Sequence, residues 1–184
     1  MMIKYLALLR GINVGGNNKI KMTDLKACFE KLGFANVTTY IQSGNVVFEA
    51  PKTDTPILAK KIEQALTAAF SYKAKVVVVA EDTLRRVVAK APKGFGSSPA
   101  DYRYNVIFLK EPLTAHKALQ AIPLKEEVDE AWAGQDVVFH QRMEARATQS
   151  YLNRLVTMPI YQDMTIRNWN TTTKLLALME KTNA

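Results

Sequence analysis

The sequence predicts an α+β chain made of two similar halves, on three observations. Short apolar segments of strand length alternate with amphipathic helical segments along all 184 residues. The order strand-helix-strand-strand-helix-strand occurs twice, with a further helix trailing. One stretch rich in Pro, Gly and Ser, 92–102, separates the two runs. This order is the split βαβ, ferredoxin-like arrangement. The expected architecture is therefore two pseudo-duplicated ferredoxin-like subdomains packed together, 1–91 and 103–184, joined by a linker at 92–102. No residue-level identity relates the halves, so the repeat is one of pattern.

The elements follow in order. Residues 3–10 are apolar, as in a buried strand, and the loop 11–21 after them is long for a strand-to-helix connection. Thr23 is the expected N-cap of the next helix. Met22, Leu25, Phe29 and Leu32 give that helix its apolar face, and Gly33 suits its C-terminal turn. Residues 37–49 read as a hairpin turning at Ser43-Gly44-Asn45. Thr55-Pro56 opens a second helix with Leu58, Ile62, Ala65, Leu66 and Ala69 inward. Residues 76–79 are four valines, expected in a central strand covered on both faces, and so between packed halves. A short helix starts near Asp82.

In the second half, 106–109 is a strand and 114–121 a Thr-capped helix. Residues 128–133 and 137–140 form a hairpin around Gly134-Gln135, and 144–156 read as one helix. A strand at 164–167 precedes the last helix, 171–181, which Asn170 or Thr171 is expected to cap.

Composition narrows the function. The net charge of +8 is uneven: residues 1–100 hold 15 Lys/Arg and 7 Asp/Glu, and the rest hold 10 of each. A basic half favours anionic partners. No apolar run is long enough to span a membrane. The single cysteine, Cys28, permits no internal disulfide and fits a reducing, cytoplasmic setting. Two histidines, one cysteine and scattered acids show no metal-ligand spacing, so neither metal nor cofactor is predicted. The acidic run at 126–130 reads as a solvated strand edge.

The chemistry-bearing stretch is Leu8-Leu9-Arg10-Gly11-Ile12-Asn13-Val14-Gly15-Gly16-Asn17-Asn18-Lys19. Gly11 and Gly16 have the spacing of a P-loop, but Asn17-Asn18 stand where Lys and Ser/Thr are required, which excludes that NTPase class. A glycine-rich turn before a helix remains, with Arg10, Lys19 and Lys21 beside it. Its backbone N–H groups can gather round an anion. The structural alternative is that its glycines only permit positive φ.

Ser43 and Asn45 belong first to a hairpin turn, and topology brings them and Gln42 toward the loop. The far end of the chain carries a second donor cluster, Arg167-Asn168-Trp169-Asn170-Thr171 with Lys174. The predicted ligand-binding set is Arg10, Asn13, Gly15, Gly16, Asn17, Lys19, Ser43, Asn45, Arg167, Asn168, Asn170 and Lys174, with the two clusters facing each other across the pseudo-repeat. No nucleophile–base pair is legible, because both histidines lie in the half away from Ser43. The K/R-G-F/Y-G/A-F signature of RNA-binding sheets is missing, and Tyr5 and Phe48 are the only aromatic candidates on such a face.

Three stretches resemble the bacterial DUF1697 family: Leu8 through Gly16, Tyr40-Ile41-Gln42-Ser43-Gly44-Asn45-Val46-Val47-Phe48, and Arg167-Asn168-Trp169-Asn170-Thr171 with Lys174-Leu175. The resemblance spans nearly the whole chain. It implies a two-subdomain fold of ferredoxin-like halves and no established activity. The first functional expectation is a cytoplasmic protein binding an anionic ligand, a nucleotide-like molecule or nucleic acid. The second is an enzyme acting on a phosphorylated or nucleotide substrate, and the third a structural or partner-binding protein. No membrane partner is expected and no oligomeric state is read.

Overall fold

The computed structural model describes residues 1–181. The chain divides into two compact units: Met1–Leu84 with the residues from Leu175 on, and Arg85–Lys174. Unit 1 follows the order β1 (Met2–Leu9), α1 (Met22–Lys31), β2 (Ala35–Tyr40), β3 (Asn45–Pro51), α2 (Thr55–Phe70), β4 (Val76–Ala80). A helix α3 (Glu81–Ala89) then carries the chain from unit 1 into unit 2. Unit 2 holds β5 (Tyr102–Leu109), α4 (Ala115–Ala121), β6 (Asp129–Ala133), β7 (Val137–Met143), α5 (Leu152–Leu155) and β8 (Met164–Asn168). The last helix, α6 (Trp169–Lys181), starts in unit 2, and its part from Leu175 groups with unit 1.

Each unit has one four-stranded antiparallel sheet, in the orders β2-β3-β1-β4 and β6-β7-β5-β8. Both are the ferredoxin-like order, as the sequence predicts. The four valines of β4 are buried at both parities, as expected. Their strand lies at the edge of its sheet and not at the centre. A doubly apolar pattern reports burial on two faces, not a strand's neighbours.

The core of unit 1 lies between its sheet and its helices. Tyr5, Ala7 and Leu9 of β1 and Val46, Phe48 and Ala50 of β3 meet Leu25 and Phe29 of α1 and Leu58, Ile62 and Leu66 of α2. Phe48 is the hub, with ring centroids 4.4 Å from Phe34, 5.5 Å from Phe29 and 5.7 Å from Tyr5. Tyr5 and Phe48 are therefore committed to packing. In unit 2, Ile107, Leu109, Val138 and Met164 of the sheet pack on Ala118 and Ile122 of the α4 region and on Leu152 and Leu155 of α5.

Three local expectations change. The stretch 92–102 belongs to unit 2, where Phe95 stands edge-on to Tyr104, Phe139 and Trp169 at 4.9, 5.3 and 5.2 Å. Its Pro/Gly/Ser composition suits a tight fold over an aromatic cluster as well as a free linker. Helix α1 is capped at Lys21 rather than Thr23, without a side-chain hydrogen bond.

The third change concerns 144–156, which is not one helix. A 3-10 segment Glu144–Gln149 is followed by the four-residue α5. The Ser150 side chain accepts from Leu152 N at 3.2 Å, and Asp129 takes the N–H of Tyr151 at 2.8 Å. These side chains offer the backbone partners that compete with helical ones.

Candidate anion-binding loop

Both ends of the 11–21 loop are pinned. Leu9 N donates to Gly44 O (2.8 Å) and Arg10 N to Lys75 O (3.0 Å), so the chain leaves β1 between its two neighbouring connections. Ile12 and Ile20 are both buried in the core of unit 1. Between these anchors the chain folds back in a small hairpin. Asn13 N donates to Asn18 O (3.2 Å) and Asn17 N to Val14 O (3.0 Å). Gly15 and Gly16 form the tip at φ +57° and +80°. Positive φ at both central residues is what a type I′ turn requires, which glycine supplies without steric cost. Asn13 and Asn18 also take positive φ, a region asparagine tolerates better than most residues.

The Asn13 amide brackets the loop. Its Nδ2 donates to Ile20 O (3.1 Å) and Gln42 O (2.9 Å), and its Oδ1 accepts from Ile20 N (2.8 Å). Asn18 Nδ2 donates to Gly11 O (2.9 Å). Asn45 is wholly buried and donates from Nδ2 to Tyr40 O (2.9 Å) and Ser43 Oγ (3.0 Å). Two amides of the predicted ligand set, Asn13 and Asn45, thus hold the loop and the adjoining turn, as does Asn18. Gly44, at φ +85°, lies so close to the loop that a Cβ there would stand 2.8 Å from Leu9 Cβ and from Ile12 Cδ1.

This scaffold leaves a hollow of about 500 Å³ lined by Asn13, Gly16, Lys19, Ile20, Lys21, Met22 and Gln42. Lys19 and Lys21 are exposed, and Ile20 is its buried apolar member. The hollow sits at the start of the ten-residue α1, whose first turn has no side-chain cap. Exposed lysines, uncapped first-turn N–H groups and the Gln42 amide make a donor-rich hollow of the kind that suits an anion.

Of the predicted set, Arg10, Asn13, Gly15, Gly16, Asn17, Lys19, Ser43 and Asn45 fall in unit 1, around this loop. Arg167, Asn168, Asn170 and Lys174 fall in unit 2. Arg167 is buried on β8 and donates from Nη1 to Ile166 O (2.9 Å). Burial pushes its pKa down to about 10, a fall that Tyr161 partly offsets, so the guanidinium stays charged at neutral pH. Asn168 caps α6 by accepting from Thr171 N (2.7 Å), the role expected of Asn170 or Thr171. Asn170 and Lys174 are exposed. Trp169, named in the donor cluster, is packed, with its ring against Phe95 and so near Gly96 that a Cβ there would lie 2.4 Å away.

Sequence reasoning missed a buried polar cluster in unit 2. Asp129, read as a solvated edge charge, is buried and accepts from Ser150 Oγ (2.5 Å), Tyr151 N (2.8 Å) and Lys125 N (2.9 Å). His140 lies beside it, Nε2 3.3 Å from Oδ1, with Nδ1 3.4 Å from Asn105 Nδ2. Burial alone would raise the Asp129 pKa. The Ser150 hydroxyl, the two backbone N–H groups and His140 hold it below the ordinary carboxylate value. Burial pushes the His140 pKa down to about 4 against the partial opposition of Asp129. The Ser150 hydroxyl donates to the carboxylate and not to the imidazole, so these three residues do not form a nucleophile–base relay. The single thiol is no better placed: half burial on α1 raises the Cys28 pKa, with Lys31 opposing, the reverse of what a reactive thiolate needs.

Among the described residues, no group of three His, Cys, Asp or Glu side chains is placed to hold a metal ion. No helix among them is long and apolar enough to cross a membrane.

Comparison with known proteins places the chain. The model of DUF1697, a protein family of unknown function, matches residues 2–139. The chain belongs to the DUF1697 family. Its structure is similar to that of a conserved bacterial protein from Streptococcus pneumoniae, at 25% identity and a TM-score of 0.84. That likeness covers 97% of this chain and 99% of the other, so it extends over the residues of both units. No curated protein matches the sequence.

Proposed function

We propose that this DUF1697 protein is a cytoplasmic binding protein for an anionic ligand, a nucleotide-like molecule or nucleic acid, held at the hollow beside the glycine hairpin. The observation that carries the reading is the pair Lys19 and Lys21 flanking a hollow at the uncapped start of α1. Ile12, Ile20 and the Asn13 bracket fix the backbone beneath it. A backbone held in place loses little entropy on binding, which helps a few lysines and N–H groups hold a phosphate in competition with water. The amides of Asn13 and Asn45 act through the scaffold, and the ligand is met by Lys19, Lys21, Gln42 and the N–H groups near Gly16.

Thermal-shift measurements against phosphates, nucleotides and short oligonucleotides test this. A ligand at about 100 times its Kd is expected to stabilise the protein by about 2.7 kcal/mol. The double variant Lys19→Ala/Lys21→Ala is expected to melt as the parent does and to lose that shift. A ligand shift that survives in the double variant sinks the assignment of the site.

A further inference from the structure

The hollow is one part of a larger charged surface. In unit 1 three connections meet at the end of the sheet where β1 finishes: 10–21 after β1, 41–44 between β2 and β3, and 71–75 before β4. Together they carry Arg10, Lys19, Lys21, Lys73 and Lys75 and no acidic residue. At the opposite end the connections 32–34 and 52–54 carry one Lys and one Asp. Five of the fifteen Lys and Arg of residues 1–100 thus stand at one end of one sheet, which the Glu63 carboxylate of α2 also reaches by accepting from Val76 N (2.9 Å).

Topology spaces these charges. Gln42 in the β2–β3 turn puts the hollow on the β3 side of β1. The 71–75 connection enters β4, on the other side of β1, where Lys75 O meets Arg10 N. Neighbouring strands lie about 4.8 Å apart, so the connections on the β3 and β4 sides of β1 stand roughly 10 Å apart, and the two lysine pairs flank the exit of β1 where they can engage different phosphates of one chain. Lys19, Lys21 and Lys73 are exposed and Lys75 half-buried. The hollow has no aromatic lining on which a base could stack. Its cations are lysines, point charges without the flat fork that reads guanine edges or grips phosphate bidentately.

We infer that this end of unit 1 binds the phosphate backbone of nucleic acid without reading base sequence, with Lys19 and Lys21 on one phosphate group and Lys73 and Lys75 on its neighbours. The inference rests on the anion-binding reading of the hollow and extends it from a small ligand to a polyanion.

Fluorescence anisotropy of a labelled oligothymidylate, titrated between about 50 and 200 mM salt, tests it. Three phosphates neutralised on a single strand predict a log K against log[salt] slope of about −2. The variant Lys73→Ala/Lys75→Ala is expected to flatten that slope by about 1.4, while leaving tripolyphosphate binding at the hollow unchanged. Lys52→Ala, at the opposite end, is expected to change neither. Tripolyphosphate binding without oligonucleotide binding overturns the extension and leaves the small-ligand reading standing. So does a slope indifferent to loss of Lys73 and Lys75. Failure of both probes to bind overturns the two readings together.

Discussion

Replacing Asp129 with alanine is expected to destabilise the protein by about 4 kcal/mol, because three donors, one buried and two half-buried, lose their acceptor at once. Those donors are the Ser150 hydroxyl and the N–H groups of Lys125 and Tyr151. Ser150→Ala removes one partner and leaves the carboxylate two others, so its expected cost is smaller, about 1–2 kcal/mol. Urea unfolding of both variants at neutral pH checks this. Near-parental stability of Asp129→Ala would mean that water satisfies those groups and that the cluster does not hold the 144–163 connection to β6.

The same cluster predicts acid sensitivity, and the two titrations act in the same direction. The folded pKa of His140 is about 4, against an ordinary histidine value of about 6.5. The unfolded chain therefore takes up the proton first, and stability falls as pH drops from about 6.5 toward 4, by about 3 kcal/mol in all. Asp129 is held below the ordinary carboxylate value. Its contribution is present above that value and is lost as pH falls further, through the folded pKa. His140→Gln is expected to remove the loss above pH 4 while keeping the lower limb. Equal slopes for parent and variant between neutral pH and pH 4 would contradict the assignment.

Gly44→Ala is expected to cost about 3 kcal/mol, from overpacking and positive φ together. Its Cβ would meet Leu9 Cβ, fixed by the strand, and Ile12 Cδ1, the residue that anchors the loop. Gly16→Ala is the natural comparison. Its φ is +80°, yet a Cβ there meets nothing within 4 Å. It is expected to cost about 1 kcal/mol from the backbone alone. The difference between the two isolates the contact between the 41–44 turn and the loop. Thermal unfolding of both variants measures it, and equal costs would show that conformation and not packing decides. Gly44→Ala should also weaken anion binding, because Ile12 can yield only by moving the hairpin it holds.

The fold was legible because its signals are local. Apolar runs of strand length, Pro56 at the start of α2 and Gly33 after α1 mark the elements wherever the chain ends up. Thr114 caps α4 as its sequence indicates, accepting from Lys117 N. What was not legible depends on distant partners. Asp129 sits in an acidic run and looks solvated, and only Ser150, twenty-one residues on, shows why it is buried. The 144–156 stretch has helical spacing at Ala147, Tyr151 and Leu155, and spacing does not register a side chain that competes for backbone N–H groups.

The candidate site was legible in part for the same reason. The glycines and lysines that make up the proposed anion loop are adjacent in the sequence. That Asn13 and Asn45 are used up inside the scaffold follows only from where Gln42, Ile20 and Tyr40 come to lie.

The central claim is that the hollow at Lys19 and Lys21 receives an anion. A titration of the isotope-labelled protein with tripolyphosphate, followed by amide NMR, tests it most directly. The account predicts saturable shifts centred on Gly15, Gly16, the amides from Lys19 to Met22, and Gln42, all of them lost in Lys19→Ala/Lys21→Ala. Shifts centred elsewhere, or no shift at saturating tripolyphosphate, would contradict it.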